Sequence, residues 1–130
     1  MMLAIKSVSA HRDSVDTMIF DEIDTGVSGR AAQKIGRKLL QIACDRQVVC
    51  VTHQPQIAAR ADVHMLISKQ VEGGRTYTRV APLDGEGRRR ELARIIGGDD
   101  VTETLLQNAA EMLYAAQGER ARLAAERAAE

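Results

Sequence analysis

Apolar residues change their spacing several times along this chain, and each change marks a new element. Thr17-Met18-Ile19-Phe20 is a short strand-forming run that ends in two adjacent carboxylates, Asp21 and Glu22. After a loop over Ile23-Asp24-Thr25-Gly26-Val27-Ser28-Gly29, the residues Ala32, Ile35, Leu39 and Ile42 recur at helical spacing, with Ser28 placed to cap that helix. Val48-Val49-Cys50-Val51 is a continuous apolar run, as expected of a parallel strand covered on both faces. Strand, helix and strand together make one βαβ unit of about thirty residues.

The second half follows a different pattern. Thr52-His53-Gln54-Pro55 ends the second strand, and Pro55 suits the first turn of a short helix reaching about Ala61. Val63 to Lys69 and Thr76 to Leu83 predict two antiparallel strands around Glu72-Gly73-Gly74-Arg75, a tight hairpin. Leu92, Ile95 and Ile96 form a helical stripe that Gly97-Gly98 stops. Asp100 with Glu103 predicts a capping box for a last amphipathic helix carrying Leu105, Ala109, Met112, Leu113 and Ala116. From Gln117 onward Leu123 is the only large apolar side chain, which predicts a solvated, frayed tail. At the other end, Met2, Leu3, Ile5 and Val8 fit the last turns of a helix that nothing upstream begins, so the sequence reads as starting within an element.

Composition narrows the possibilities. At 130 residues and 45% apolar content the chain has the size and the core of one folding unit. Eighteen basic residues balance eighteen acidic ones, so any contact with nucleic acid needs a local patch. Arg88-Arg89-Arg90 reads as a solvated helix face. Cys44 and Cys50 lack metal-ligand spacing and read as a reduced pair. No apolar run approaches the ~20 residues that span a bilayer, and a soluble cytoplasmic protein is expected.

The chemistry gathers at two strand ends. In an open α/β sheet ligands bind beyond the carboxyl ends of the strands, where Asp21-Glu22 and His53 both fall. An Asp there can hold Mg²⁺, a neighbouring Glu can polarise a water, and a His on the adjacent strand can donate to a terminal phosphate. Each feature also has a bland reading. An apolar strand followed by Asp-Glu occurs by chance in many proteins, and a strand-terminal His is commonly a hydrogen-bonded structural residue. The joint pattern is more specific than its parts.

Met18-Ile19-Phe20-Asp21-Glu22-Ile23-Asp24-Thr25-Gly26-Val27-Ser28-Gly29, followed by Val51-Thr52-His53-Gln54-Pro55-Gln56-Ile57-Ala58, closely resembles the RecN family of bacterial DNA repair proteins, relatives of the SMC proteins with an ABC-type ATPase head. The resemblance continues through Ile67-Ser68-Lys69 and Glu91-Leu92-Ala93-Arg94-Ile95-Ile96-Gly97-Gly98, and covers nearly all of residues 1–116. It implies an α/β fold, the C-terminal lobe of a P-loop NTPase head, with a partial parallel sheet, flanking helices and a hairpin over residues 1–116, and a polar, helix-prone tail at 117–130.

By the same resemblance Asp21 is the Walker B magnesium residue, Glu22 the catalytic base, His53 the switch histidine, and Asp24 to Gly29 the D-loop, with Asp24, Ser28 and Gly29 at the ATP. The implied activity is ATP hydrolysis within a complete head, with ATP and Mg²⁺ bound there, in recombinational repair of double-strand breaks. The implied partners are an N-terminal lobe carrying the phosphate loop, a second head across an ATP sandwich, and DNA through the full-length protein, with no membrane. The departures are equally specific. No Gly-x-x-x-x-Gly-Lys-Ser/Thr segment occurs, and Met1 to Ser9 resembles the helix that follows the family's Ser-Gly-Gly signature. A non-catalytic fragment or interaction module, unable to bind ATP alone, is therefore the second reading. Without the phosphate-loop strand, the family pattern leaves an exposed edge along Val48–Thr52.

Overall fold

The computed structural model describes residues 15–130, so the helix expected over Met1–Ser9 lies outside the described residues. Strand β1 (Thr17–Asp21) pairs in parallel with β2 (Gln47–Val51), from Thr17 opposite Gln47 to Asp21 opposite Val51. Helix α1 (Gly29–Ala43) makes the crossover between them. Alternate strand residues point to opposite faces. Phe20, Met18, Val48 and Cys50 accordingly turn toward α1, where Phe20 joins Leu39, Ile42 and Ile57 in one core cluster.

The opposite face carries Ile19, Val49 and Val51, which are 68%, 44% and 46% exposed. The run Val48–Val51 predicted cover on both faces, whereas only one face is covered, because α1 packs on one side and none of the described residues forms a layer on the other. Among the described residues β2 also pairs with β1 alone, leaving its outer edge open as the family pattern implied.

Gln54 precedes Pro55, which opens α2 (Pro55–Ala58), a single turn whose bonding continues irregularly to Ala61. Gly36 of α1 lies against this segment: a Cβ there would come within 3.1 Å of the Gln56 carbonyl oxygen, a close approach that only glycine allows without displacement. The antiparallel strands β3 (Met65–Glu72) and β4 (Arg75–Pro82) reach further toward each other than expected, since the turn needs two residues only. Gly73 and Gly74 both have positive φ, 57° and 74°, the geometry that matches the twist of the strands it joins.

Helix α3 (Gly85–Gly97) begins where the Asp84 carboxylate accepts the Gly87 amide at 2.7 Å, and stops at Gly98 with φ 91°. Helix α4 (Glu103–Ala128) is capped by Thr102, whose hydroxyl oxygen accepts the Leu105 amide at 3.3 Å. The Asp100–Glu103 capping box is thus replaced by a cap two residues later. Leu92 and Ala93 of α3 pack with Ala109 and Ala116 of α4 and with Ala58 and Ala59, forming a second core cluster. Since Ile57 belongs to the first cluster and Ala58 to the second, α2 joins the two.

Two expectations about charged residues are corrected. The segment after Gln117 is regular helix to Ala128 and is docked by ion pairs. Glu119 bridges Arg60 at 2.7 Å and Arg37 at 2.8 Å, Arg120 meets Asp62 at 2.6 Å and the Arg60 carbonyl at 2.7 Å, and Arg127 pairs with Asp45. The Arg60–Glu119 pair is nearly buried, so charge does there what large apolar side chains do elsewhere. Arg88 is likewise only partly exposed. It donates to the Ala58, Ala59 and Ala61 carbonyls at 3.5, 3.5 and 2.9 Å, where α2 ends, while Arg89 and Arg90 pair with Glu86.

The second core is tested at Leu92, which is fully buried. Leu92→Ala should lower the unfolding free energy by about 2–5 kcal/mol in urea titration, while Tyr114→Ala on the exposed side of α4 should stay within about 0.5 kcal/mol of the parent.

Candidate functional site

Because β1 and β2 run parallel with Asp21 opposite Val51, the residues that follow them emerge side by side at the carboxyl end of the sheet. Asp21 is the last residue of β1 and is exposed. Glu22, also exposed, has φ 56°, a left-handed conformation that a non-glycine residue adopts at a cost and that clusters at functional sites. The turn is held by Thr25, whose hydroxyl donates to the Glu22 carbonyl at 3.0 Å and whose amide donates to it at 3.4 Å.

Asp24 contrasts with this pair. Only 2% of it is exposed, and its Oδ2 accepts the Thr52 hydroxyl and, at 3.2 Å, the backbone amide of His53. His53 Nδ1 lies 3.6 Å from the same oxygen, with the rest of the imidazole largely in solvent. Burial alone would raise the carboxyl's proton affinity, yet the Thr52 and His53 hydrogen bonds outweigh it and hold the group below its ordinary value. Gln54 adds a second tie: its side-chain amide donates to the Val27 carbonyl at 2.9 Å, and its backbone amide to the Thr52 hydroxyl oxygen at 3.0 Å.

The remaining expected site residues sit at the start of α1. Ser28 occupies the cap position, but its side chain makes no capping hydrogen bond; its carbonyl takes the Ala31 amide at 3.0 Å. Gly29 follows with φ 42°. Cys50, beneath the site, has its thiol pushed up to about 11 by burial, with Asp24 and Asp21 adding to the effect, and so stays protonated at neutral pH. Cys44 and Cys50 are both free thiols.

The structure therefore brings His53 onto Asp24 and sets the Asp21-Glu22 turn beside them. Thr52 and Gln54, to which the sequence pattern assigns no role, are the residues that fasten the two loops. The buried Asp24 needs donors, and the Thr52 hydroxyl and the His53 amide supply them, while Gln54 ties Val27 instead.

The donor chemistry at Asp21 suits Mg²⁺, a hard ion that takes one or two protein carboxylates and fills its remaining positions with water and phosphate oxygens. No group of three or more His, Cys, Asp or Glu side chains converges as a metal cage among the described residues. No helix among them is long and apolar enough to cross a membrane.

No protein-family model matches the chain. Curated relatives do. The DNA repair protein RecN of Bacillus subtilis is 47% identical over 113 residues, which is 87% of this chain and 20% of that protein. RecN of Streptomyces coelicolor is 46% identical over 120 residues, or 92% and 21%, and RecN of Vibrio cholerae 42% identical over 116 residues, or 89% and 21%. This chain corresponds to the C-terminal part of RecN.

It spans about one fifth of the length of those RecN proteins. A solved structure from work on ATP-driven dimerisation and DNA-stimulated activation of SMC ATPases has a TM-score of 0.58 at 19% identity, over 73% of this chain and 56% of that one. The RecN-type sequence thus adopts the SMC ATPase type of fold, a small parallel sheet with a hairpin and flanking helices.

A pH dependence follows from Asp24. Its carboxyl releases its proton more readily folded than unfolded, so the stability it contributes is present above about pH 4 and is lost as the pH falls through the lower folded value. Asp24→Asn should be less stable at pH 6 and lose less stability on acidification, as read from urea unfolding at a series of pH values. An identical acid limb in both proteins would contradict this.

Proposed function

We propose that this chain supplies one half of the ATP-hydrolysing head of a RecN-like protein acting in recombinational repair of DNA double-strand breaks. The observation that carries the reading is the common end of β1 and β2, where an exposed Asp-Glu pair in a strained turn stands beside a histidine fixed through its own backbone. In this reading Asp21 is the Walker B residue that holds Mg²⁺, whose bound charge offsets that of the phosphates. Glu22 orients a water and takes its proton as the water oxygen bonds to the γ-phosphorus and the bond to the bridging oxygen of ADP breaks. His53 donates a hydrogen bond to a γ-phosphate oxygen. Ser28 and Gly29, on the loop begun by Asp24, face a second head across the bound nucleotide.

The reading requires partners. No stretch of the 130 residues reads Gly-x-x-x-x-Gly-Lys-Ser/Thr, so the backbone amides and lysine that hold phosphates must come from an N-terminal lobe. The exposed apolar face of Ile19, Val49 and Val51 and the open edge of β2 are consistent with a surface completed by that lobe. DNA is engaged by the full-length protein, in the cytoplasm. The same facts favour the second reading for the 130 residues taken alone, an interaction module that binds no ATP without the other lobe.

Two measurements test the assignment. In a complete RecN-type protein, Glu22→Gln should leave ATP binding intact and reduce turnover by about a hundredfold or more; unchanged turnover would remove Glu22 as the base. Calorimetric titration with Mg-ATP should show no tight binding by the 130-residue chain and micromolar binding after addition of the N-terminal lobe. Micromolar binding by the chain alone would overturn the need for that lobe.

A further inference from the structure

We propose that Asp24 is a positioning residue that locks the loop after β1 to the His53 segment, so that the two loops move as one body. The proposal rests on the reading above only for the role of His53; the lock itself is a matter of bonds already described. A single carboxylate oxygen, Oδ2, collects the Thr52 hydroxyl, the His53 backbone amide at 3.2 Å and His53 Nδ1 at 3.6 Å.

The Thr52 hydroxyl oxygen accepts the Gln54 amide at 3.0 Å and its proton is directed to the Asp24 carboxylate, so one side chain serves both segments. An ionised carboxylate, accepting from a hydroxyl and an amide while nearly excluded from water, makes a stronger fastening than a neutral pair does. Its lowered proton affinity accords with that state.

A second tie, independent of the carboxylate, runs the same way. The Gln54 side chain donates to the Val27 carbonyl at 2.9 Å, and the Val27 amide donates to the Asp24 carbonyl at 3.1 Å. Residues 24–27 are thus clasped by residues 52–54 at both ends. In this proposal Asp24 is not itself a contact to the reacting atoms. It acts through His53 on one side and through the loop leading to Ser28 and Gly29 on the other, so a small displacement of His53 by a phosphate is passed to the loop that faces a second head. The proposal thus assigns Asp24 a coupling role where the resemblance implies a place at the ATP.

Native-state amide hydrogen exchange on the 130-residue chain, without nucleotide, tests the lock apart from any ATPase assignment. Thr52→Val removes the hydroxyl on the β2 side. The decisive reporter is Val27, whose amide bonds to the Asp24 carbonyl and makes no hydrogen bond to Thr52. Exchange at Val27 and His53 should rise about tenfold in Thr52→Val, return to the parent rate in Thr52→Ser, and leave α3 and α4 unchanged. Asp24→Asn, which keeps the shape of the side chain, should show the same pattern and serves if Thr52→Val does not fold. A Val27 rate that stays at the parent value while His53 exchanges faster would show two separate loops and overturn the proposal. Failure of Glu22→Gln to stall turnover would count against the ATPase reading alone.

Discussion

Everything at the candidate site depends on the parallel pairing of β1 with β2 in one register. With Asp21 opposite Val51, the turn that carries Glu22 and the segment that carries Thr52 and His53 leave the sheet together. A shift of one residue would exchange the faces of the shifted strand, exposing Phe20 or turning Val49 onto α1, so the burial of Phe20 in the first core fixes the register. Asp24 then closes the arrangement. Its buried carboxylate cannot remain without donors, and the donors within reach belong to the other strand's exit.

The site is also tied to the far end of the molecule. The short helix α2 begins two residues after His53 and contributes Ile57 to one core and Ala58 to the other. Its far end is held by charge: Arg88 takes the carbonyls there, and Arg60 just beyond is fixed by Glu119 of α4. A helix of four residues has little stability of its own. What places it, and through it the His53 segment, is the packing of α1, α3 and α4 around it.

Much of this was legible in the chain. The strands and long helices follow from apolar spacing, Pro55 and Gly73-Gly74 mark their turns, and the Asp-Glu pair and His53 fall at strand ends by simple counting. What could not be read were features that depend on partners distant in sequence. Thr102 in place of Asp100 as a cap is a matter of two residues. The docking of the segment after Gln117 is invisible to a search for large apolar side chains, since it is made by Glu119, Arg120 and Arg127 with residues far earlier in the chain. Thr52 and Gln54 escape for the same reason, their acceptors lying near residues 24 and 27. The open face of Ile19, Val49 and Val51 shows the converse: a continuous apolar run states a demand for cover without showing what meets it.

The central claim is that the shared end of β1 and β2 is where metal and phosphate act. Paramagnetic relaxation tests it most directly, with Mn²⁺ in place of Mg²⁺ in the complex of this chain, the phosphate-loop lobe and ATP. The account predicts that the amide resonances of Asp21, Glu22 and His53 broaden first and most strongly, while those of the β3–β4 hairpin remain sharp. Broadening centred on the hairpin or on α4, with Asp21 and His53 untouched, would contradict it.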